Sequence, residues 1–390
     1  MPVHNRIADL QTEMTEWRRD IHANPELGFE EHRTSAIVAE KLASWGIEVH
    51  RGIAGTGVVG VLRNGTSDKG VGLRADMDCL PMTETNGLEH ASTTPGRMHA
   101  CGHDGHTATL LGAAKYLAES RNFDGVVHFI FQPAEEGGGG GRVMVQEGLF
   151  DRFPCDSVFA LHNDPALKVG EASVVAGTVL AASDRFWITI GGVGGHASRP
   201  HQCVDPLVIG AQIVGALQSL VARSVDPLRS AVVSVTQFHA GSAMNVIAET
   251  AELAGTVRTL LPQEQDIIET GMTRIVEGIA AAHGATATVK YQRGYPPTVN
   301  DAAQTERAAL AATKVLGERG VIRERPPMMG AEDFSYMLLQ RPGCFVRIGQ
   351  AGADKGGVPV HNPKYDFNDD ILPLGASFFA SIVEQELPRD

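Results

Sequence analysis

Nine residues, His99-Ala-Cys-Gly-His-Asp-Gly-His-Thr107, concentrate one thiol, three imidazoles and a carboxylate. Thiolate and neutral imidazole are ligands for borderline divalent ions such as Zn²⁺. Cys101 and His103 stand two apart, a spacing that turns both side chains one way only in extended or loop backbone. Gly102 and Gly105 let that backbone come close to an ion. A polar turn capping the following apolar helix accounts for one such residue alone, whereas the whole set points to metal binding. The cluster by itself does not say what the metal does.

A second group supplies carboxylates. Glu135 and Glu136 lie between an apolar run ending at Phe131 and five glycines, 137–141. Beside a metal, one can bind the ion while the other accepts a proton from water; without one, the pair is a solvated acidic turn. The glycine run costs entropy unless the backbone must approach something closely, which favours the functional reading. It is no phosphate cradle, since no Lys-Ser/Thr follows and two glutamates repel an anion. His162 ends the run SVFALH, and His361 sits in the turn-prone stretch VPVHNP; taken singly, each reads as structural. Asp76 and Asp78 alternate at a strand end and so share a face, where they either orient ligand imidazoles or sit in solvent. Further on, the glycine-rich loop 191–201 carries His196, without the pattern of a nucleotide-binding turn. Asn245 and Arg258 are polar residues in or beside apolar strands, and for Arg258 a surface position is an equal reading.

The elements that must position these residues follow from periodicity. Helices are expected over 6–23, 30–44, 105–120 and 141–147, and strands over 56–62, 71–74, 126–131 and 157–161. That alternation argues for an α/β sheet, with the metal-type residues at strand ends where such sheets bind ligands. From residue 184 the order becomes strand 185–190, helix 205–223, strands 231–239 and 251–260, helix 264–283 and strand 286–293. This β-α-β-β-α-β order is the ferredoxin-like arrangement. Helices return at 301–319, 332–339 and 369–387, with a strand at 344–348. The expected organisation is therefore a first domain in two parts, 1–183 and 295–390, interrupted by an inserted domain, 184–294.

Composition narrows the partners. A chain of 390 residues is long enough for two domains. A formal charge of −13 argues against nucleic acid and anionic membrane, both of which need a basic footprint. The start shows no secretory h-region. The richest apolar run, 207–222, is interrupted by Gln212 and Gln218, so no bilayer span is expected. Five scattered cysteines suit reduced thiols in a cytoplasm.

The motifs WRRDIHANPELGFEE, GLRADMDCLPMTE, HACGHDGHTA, FQPAEEGGGG, GGHASRPH, AMNVIAE, GAEDFSYM and VHNPKYDFND occur together and in order. Across essentially the whole chain they resemble the aminoacylase/carboxypeptidase amidohydrolase family (peptidase family M20, subfamily D), which includes hydrolases of hippurate and of indoleacetyl-amino acids. The resemblance implies an α/β, di-metal aminopeptidase-like catalytic domain with a ferredoxin-like lid or dimerisation domain, and a homodimer. It implies hydrolysis of N-acyl amino acids with two divalent ions per subunit, Zn²⁺, Mn²⁺, Ni²⁺ or Co²⁺. Carried over by motif, Cys101, His103, Glu136, His162 and His361 are the metal ligands, with Cys101 bridging. Glu135 is the general base, His196 polarises the scissile carbonyl, and Asn245 and Arg258 bind substrate. Cys79, Asp164 and Ala331 stand where the family usually has alanine, tryptophan and serine. Rival readings are a deacetylase or a short-peptide carboxypeptidase using the same centre, and a non-catalytic metal or amino-acid binding protein.

Overall fold

The computed structural model describes residues 4–389. The chain forms two compact units: residues 1–177, 299–326 and 333–390 make the first, and 178–298 with 327–332 the second. The inserted stretch thus begins at Thr178 rather than at residue 184 and ends at Thr298 rather than 294. A short return, 327–332, also joins it.

The first unit is built on an eight-stranded sheet. Its order is Glu48–Ile53, Gly57–Asn64, Gly125–Gln132, Gly70–Asp76, Ser157–Lys168, Gly343–Ala351, then the short strands Ala172–Ser173 and Val321–Ile322. The four strands from Gly125–Gln132 to Gly343–Ala351 run parallel. Gly70–Asp76 and Gly125–Gln132 are buried along their whole length, which is why they read as continuous apolar runs rather than alternating ones. Helix His103–Ser120 is buried through Leu110, Leu111, Ala113, Ala114 and Leu117, and helix Leu372–Glu386 through Phe378, Phe379, Ile382 and Val383. A helix apolar on all sides belongs inside a core.

Departures from the expected elements have local causes. Strand Glu48–Ile53 was not expected; it is an edge with only Ile53 buried, so it carries no hydrophobic signal. The first helix breaks at Leu10 into Asn5–Asp9 and Gln11–Ala23. The helix expected over 332–339 is only Ser335–Leu338, because the Asp333 carboxylate is tied to a strand end by Gln132 Nε2 at 2.6 Å and to the first turn of helix Gly140–Gln146 by the Gly141 N–H at 2.8 Å.

The second unit carries the expected β-α-β-β-α-β order. Its antiparallel sheet runs Ala231–Ala240, Thr250–Thr259, Ala182–Gly191, Thr286–Tyr295, with helices Pro206–Ser219 and Pro262–Ala282 packed on it. By length and composition alone, Pro206–Ser224 would be long and apolar enough to cross a bilayer. Its Ile209, Ile213, Leu217 and Leu220 nevertheless pack into the unit's own core.

Candidate metal centre

The chemistry-bearing residues of the first unit gather at the C-terminal ends of its parallel strands. Strand register sets Asp76 beside Gln132 and Arg347 beside His162. Cys101 lies just before helix His103–Ser120, and His103 is that helix's first residue. The intervening Gly102 has φ +97°, and a Cβ there would lie 2.3 Å from Asn163 Oδ1. Only glycine lets the chain turn here and keep both ligand candidates on one side. His361 also has positive φ, +62°, and its N–H is held by the Ala100 carbonyl at 2.7 Å, which brings a turn from far down the chain against Cys101.

Each imidazole is oriented through one nitrogen. His103 Nδ1 is 3.1 Å from Asp78 Oδ1, and its Nε2 is buried without a hydrogen-bond partner. His162 Nδ1–H donates to the Asn163 carbonyl at 2.8 Å, which leaves Nε2 facing Cys101 Sγ at 3.4 Å. Burial, and then His106 beside it, hold His162 well below the ordinary imidazole range, so it is neutral, the ligand form. Burial, with Glu136 next, pushes the Cys101 thiol up, a shift a cation at this point would reverse. His361 Nε2 is 3.1 Å from Glu136 Oε1. Cys101 and His103 are buried, Glu136 and His162 half-buried and His361 exposed, so the cluster opens to solvent at one end.

Donor atoms of Cys101, His103 and His162 lie within 4.8 Å of one another, as do those of Cys101, Glu136 and His361. The two trios share Cys101. His103, Glu135 and Glu136 form a further such group. An orphaned buried imidazole nitrogen and S, N and O donors at this spacing fit divalent metal. Of the three imidazoles in the opening motif, only His103 belongs to the trios. His106 is engaged at both nitrogens, by Asp76 Oδ1 at 2.6 Å and Asn163 Oδ1 at 2.7 Å. His99 is fully buried with neither nitrogen hydrogen-bonded, but it lies in none of the donor groups found among the described residues.

Several supports carry no local sequence signal. Arg74, 1% exposed, joins Gln132 Oε1 at 2.9 Å, Asp76 Oδ2 at 2.7 Å and Asp333 Oδ1 at 3.1 Å, and so ties two strand ends to a distant loop. Asp78 spends its second oxygen on the Glu136 N–H at 2.9 Å. Asn163 Nδ2 donates to the Tyr365 hydroxyl at 2.8 Å. Glu31 is fully buried; its Oε1 accepts the Ala134 N–H at 2.8 Å and its Oε2 the Thr56 hydroxyl. Ala134 has φ +52°, a conformation alanine rarely adopts, immediately before Glu135. Glu31→Ala therefore leaves that N–H without an acceptor, which costs about 1–3 kcal/mol. We expect kcat to fall at least tenfold with metal content retained, and Glu31→Gln to restore most of it, since an amide oxygen also accepts; kinetics beside metal analysis decide this.

Behind the site, His22 sits between two carboxylates, Asp104 Oδ2 at 2.8 Å and Glu84 Oε1 at 3.1 Å. Burial opposes its charged form, yet Asp104 and then Glu84 outweigh burial and raise His22 to about 9. A pKa raised above the unfolded value of about 6.5 contributes stability that is complete below that pH and lost as pH climbs through 9. Thermal unfolding of wild type should therefore weaken between pH 7 and 10, by up to about 3 kcal/mol more than that of His22→Gln. Equal losses in both proteins would remove His22 from this role.

In the second unit, His196 and Asn245 share one exposed ribbon. Gly195–His196 pairs with Val246–Ile247, and the Ala197 N–H donates to the Asn245 carbonyl at 3.0 Å. The His196 Nδ1 accepts from the Ser198 hydroxyl at 2.9 Å. Arg258 is not brought to that ribbon. It is half-buried near the far end of strand Thr250–Thr259, where Nη1 donates to the Val257 carbonyl at 3.0 Å and to Thr256 Oγ1.

Metal-type donors at the strand ends of an α/β sheet, with a second buried carboxylate among them, define a metal-dependent hydrolase. The chain belongs to peptidase family M20/M25/M40, whose model matches residues 72–385. It is 41% identical to the hippurate hydrolase of Campylobacter jejuni, over 96% of this chain and 97% of that one. It is 39% identical to thermostable carboxypeptidase 2 of Saccharolobus solfataricus, over 95% of each. The crystal structure of a dinuclear metal-binding M20 peptidase from Bacillus subtilis superposes with a TM-score of 0.83 at 35% identity, over 96% of this chain and 98% of that one.

Proposed function

We propose that this protein hydrolyses the amide bond of N-acyl amino acids, hippurate-like conjugates among them. One observation carries the reading: two donor trios share Cys101 Sγ, and Glu135 stands beside them as a separate buried carboxylate. Cys101, His103, Glu136, His162 and His361 would hold two divalent ions, and mixed S, N and O donors admit Zn²⁺, Mn²⁺, Ni²⁺ or Co²⁺. Such ions supply Lewis acidity toward water and toward the scissile carbonyl. The rest belongs to the chain. Glu135 takes the proton of the attacking water and returns it to the leaving amine. His196 donates toward the developing oxyanion, while Asn245 and Arg258 bind the substrate's polar groups.

The hippurate hydrolase and the carboxypeptidase among its relatives both support amide cleavage next to an amino acid and differ in what precedes it. Purified protein reconstituted with each metal and given hippurate, other N-acyl amino acids and dipeptides, with and without chelator, separates the readings. Hydrolysis of dipeptides alone would make this a carboxypeptidase. Metal uptake with no turnover would make it a binding protein. We further propose a cytoplasmic homodimer with no nucleic-acid or membrane partner, a reading supported by five free cysteines, the acidic charge and the open edge strand Ala231–Ala240.

Cys101→Ser replaces the shared thiolate by a weaker, harder oxygen donor. Metal content should drop by at least half after dialysis, with preference moving from softer toward harder ions. Full metal content and full activity would exclude Cys101 as a ligand.

A further inference from the structure

Asp164 stands two residues beyond His162 on strand Ser157–Lys168, so the two share a face about 7 Å apart. The adjacent strand sets Arg347 in register with His162. Asp164 is 1% exposed and its carboxylate is engaged on both oxygens. Oδ1 accepts the Ala166 N–H at 2.9 Å, and Oδ2 takes Arg347 Nη2 at 2.7 Å and Arg325 Nη1. One buried carboxylate thus serves two guanidinium groups. Arg347 lies below the ordinary guanidinium range, mainly through burial, with Arg325 working in the same direction against Asp164.

Arg325 differs from its neighbour. Its side chain is 23% exposed, and among the described residues only its Nη1 has a protein acceptor. The Nε–Nη2 edge, the fork that matches a carboxylate in two parallel hydrogen bonds, has no protein acceptor among the described residues. Asp164 fixes one end of the guanidinium, and the Ala166 N–H fixes Asp164. A fork held this way gives up little freedom on binding.

We propose that this edge of Arg325, pinned by Asp164 beside His162, is an anion subsite. It selects N-acyl amino acids that carry a second carboxylate, either in the amino-acid side chain or at the far end of the acyl group. The inference rests on the hydrolase reading above. A substrate carboxylate can meet this fork only on an arm reaching away from the reacting amide, past the two-residue strand step of about 7 Å from His162 to Asp164, and the single carboxylate of hippurate has no such arm.

Isosteric pairs test it: N-benzoylglutamate against N-benzoylglutamine, and N-succinylglycine against N-succinamoylglycine, compared as ratios of kcat/KM. Wild type should favour the charged member of one pair at least tenfold, and the pair that responds locates the carboxylate. Added salt should reduce the preference. Arg325→Met should bring the ratio close to one. Arg325→Lys, which keeps the charge on Asp164 but lacks the fork, should lower it at least threefold, and this variant decides the matter if thermal melts show Arg325→Met to be unfolded. No preference in either pair, or a preference that survives loss of the fork, overturns the subsite while neutral substrates continue to be cleaved. Absence of turnover on all four compounds and on hippurate overturns the hydrolase reading and the subsite together.

Discussion

Glu135→Gln should keep its metal and lose turnover by a factor on the order of 10³, the usual scale for removing a general base. Glu135 and Glu136 are adjacent in sequence but differently committed. Glu136 is aimed by Asp78, which accepts its N–H at 2.9 Å, and meets His361 at 3.1 Å, within the Cys101 trio. Glu135 follows Ala134, whose positive φ turns the chain, and it is 7% exposed beside His103. An amide in its place keeps size and one acceptor but cannot take a proton at neutral pH. The expected pattern is a collapse of kcat with KM within a few-fold, the signature of an interaction used in the transition state. Glu136→Gln should instead lose metal, and activity with it. Metal analysis beside kinetics on both variants reads the assignment, and the opposite pattern would reverse the two roles.

The parts of the site that were legible in the sequence are those whose chemistry is local. Cys101 and His103 stand out by type and spacing, and the strand end at Asp76 and the one three residues before Glu135 follow from apolar runs that the sheet buries. His162 and His361 carried no such signal. What singles them out is contact with Cys101 and Glu136, made by strand pairing and by a turn hundreds of residues away, and only the resemblance named them beforehand. The same holds for Glu31, Arg74, Asn163 and Asp333. Each is an ordinary polar residue until long-range packing gives it a buried partner. His106 shows the converse. It stands in a His/Cys motif that as a whole points to metal binding, but Asp76 and Asn163 occupy both its nitrogens. Elements failed where they lie exposed, as in Glu48–Ile53, or where a side chain holds the backbone out of a helix, as at Asp333.

His196 should act in an active site other than its own subunit's, and the geometry of the second unit supplies the reason. Thr250 pairs with Gly191 at the sheet end from which the His196–Asn245 ribbon extends, whereas Arg258 pairs with Ser183 near the opposite end. Eight residues of strand separate Thr250 from Arg258, about 26 Å. An N-acyl amino acid spans only about 10 Å. One inserted unit therefore cannot bring both its ribbon and Arg258 onto one such substrate, and with the substrate-binding role proposed for Arg258 the full set would come from two copies. A closed two-fold dimer provides them, and the exposed edge strand Ala231–Ala240 offers the pairing surface. Homodimers of His196→Ala and of Glu135→Gln should each be almost inactive. After subunit exchange, each mixed dimer holds one site with both defects and one with neither, so random mixing should restore about a quarter of wild-type activity. If His196 merely packed its own glycine turn, His196→Ala would lower the melting temperature with rate intact. Exchange demonstrated by mass spectrometry with no activity recovered would place His196 in its own subunit's site.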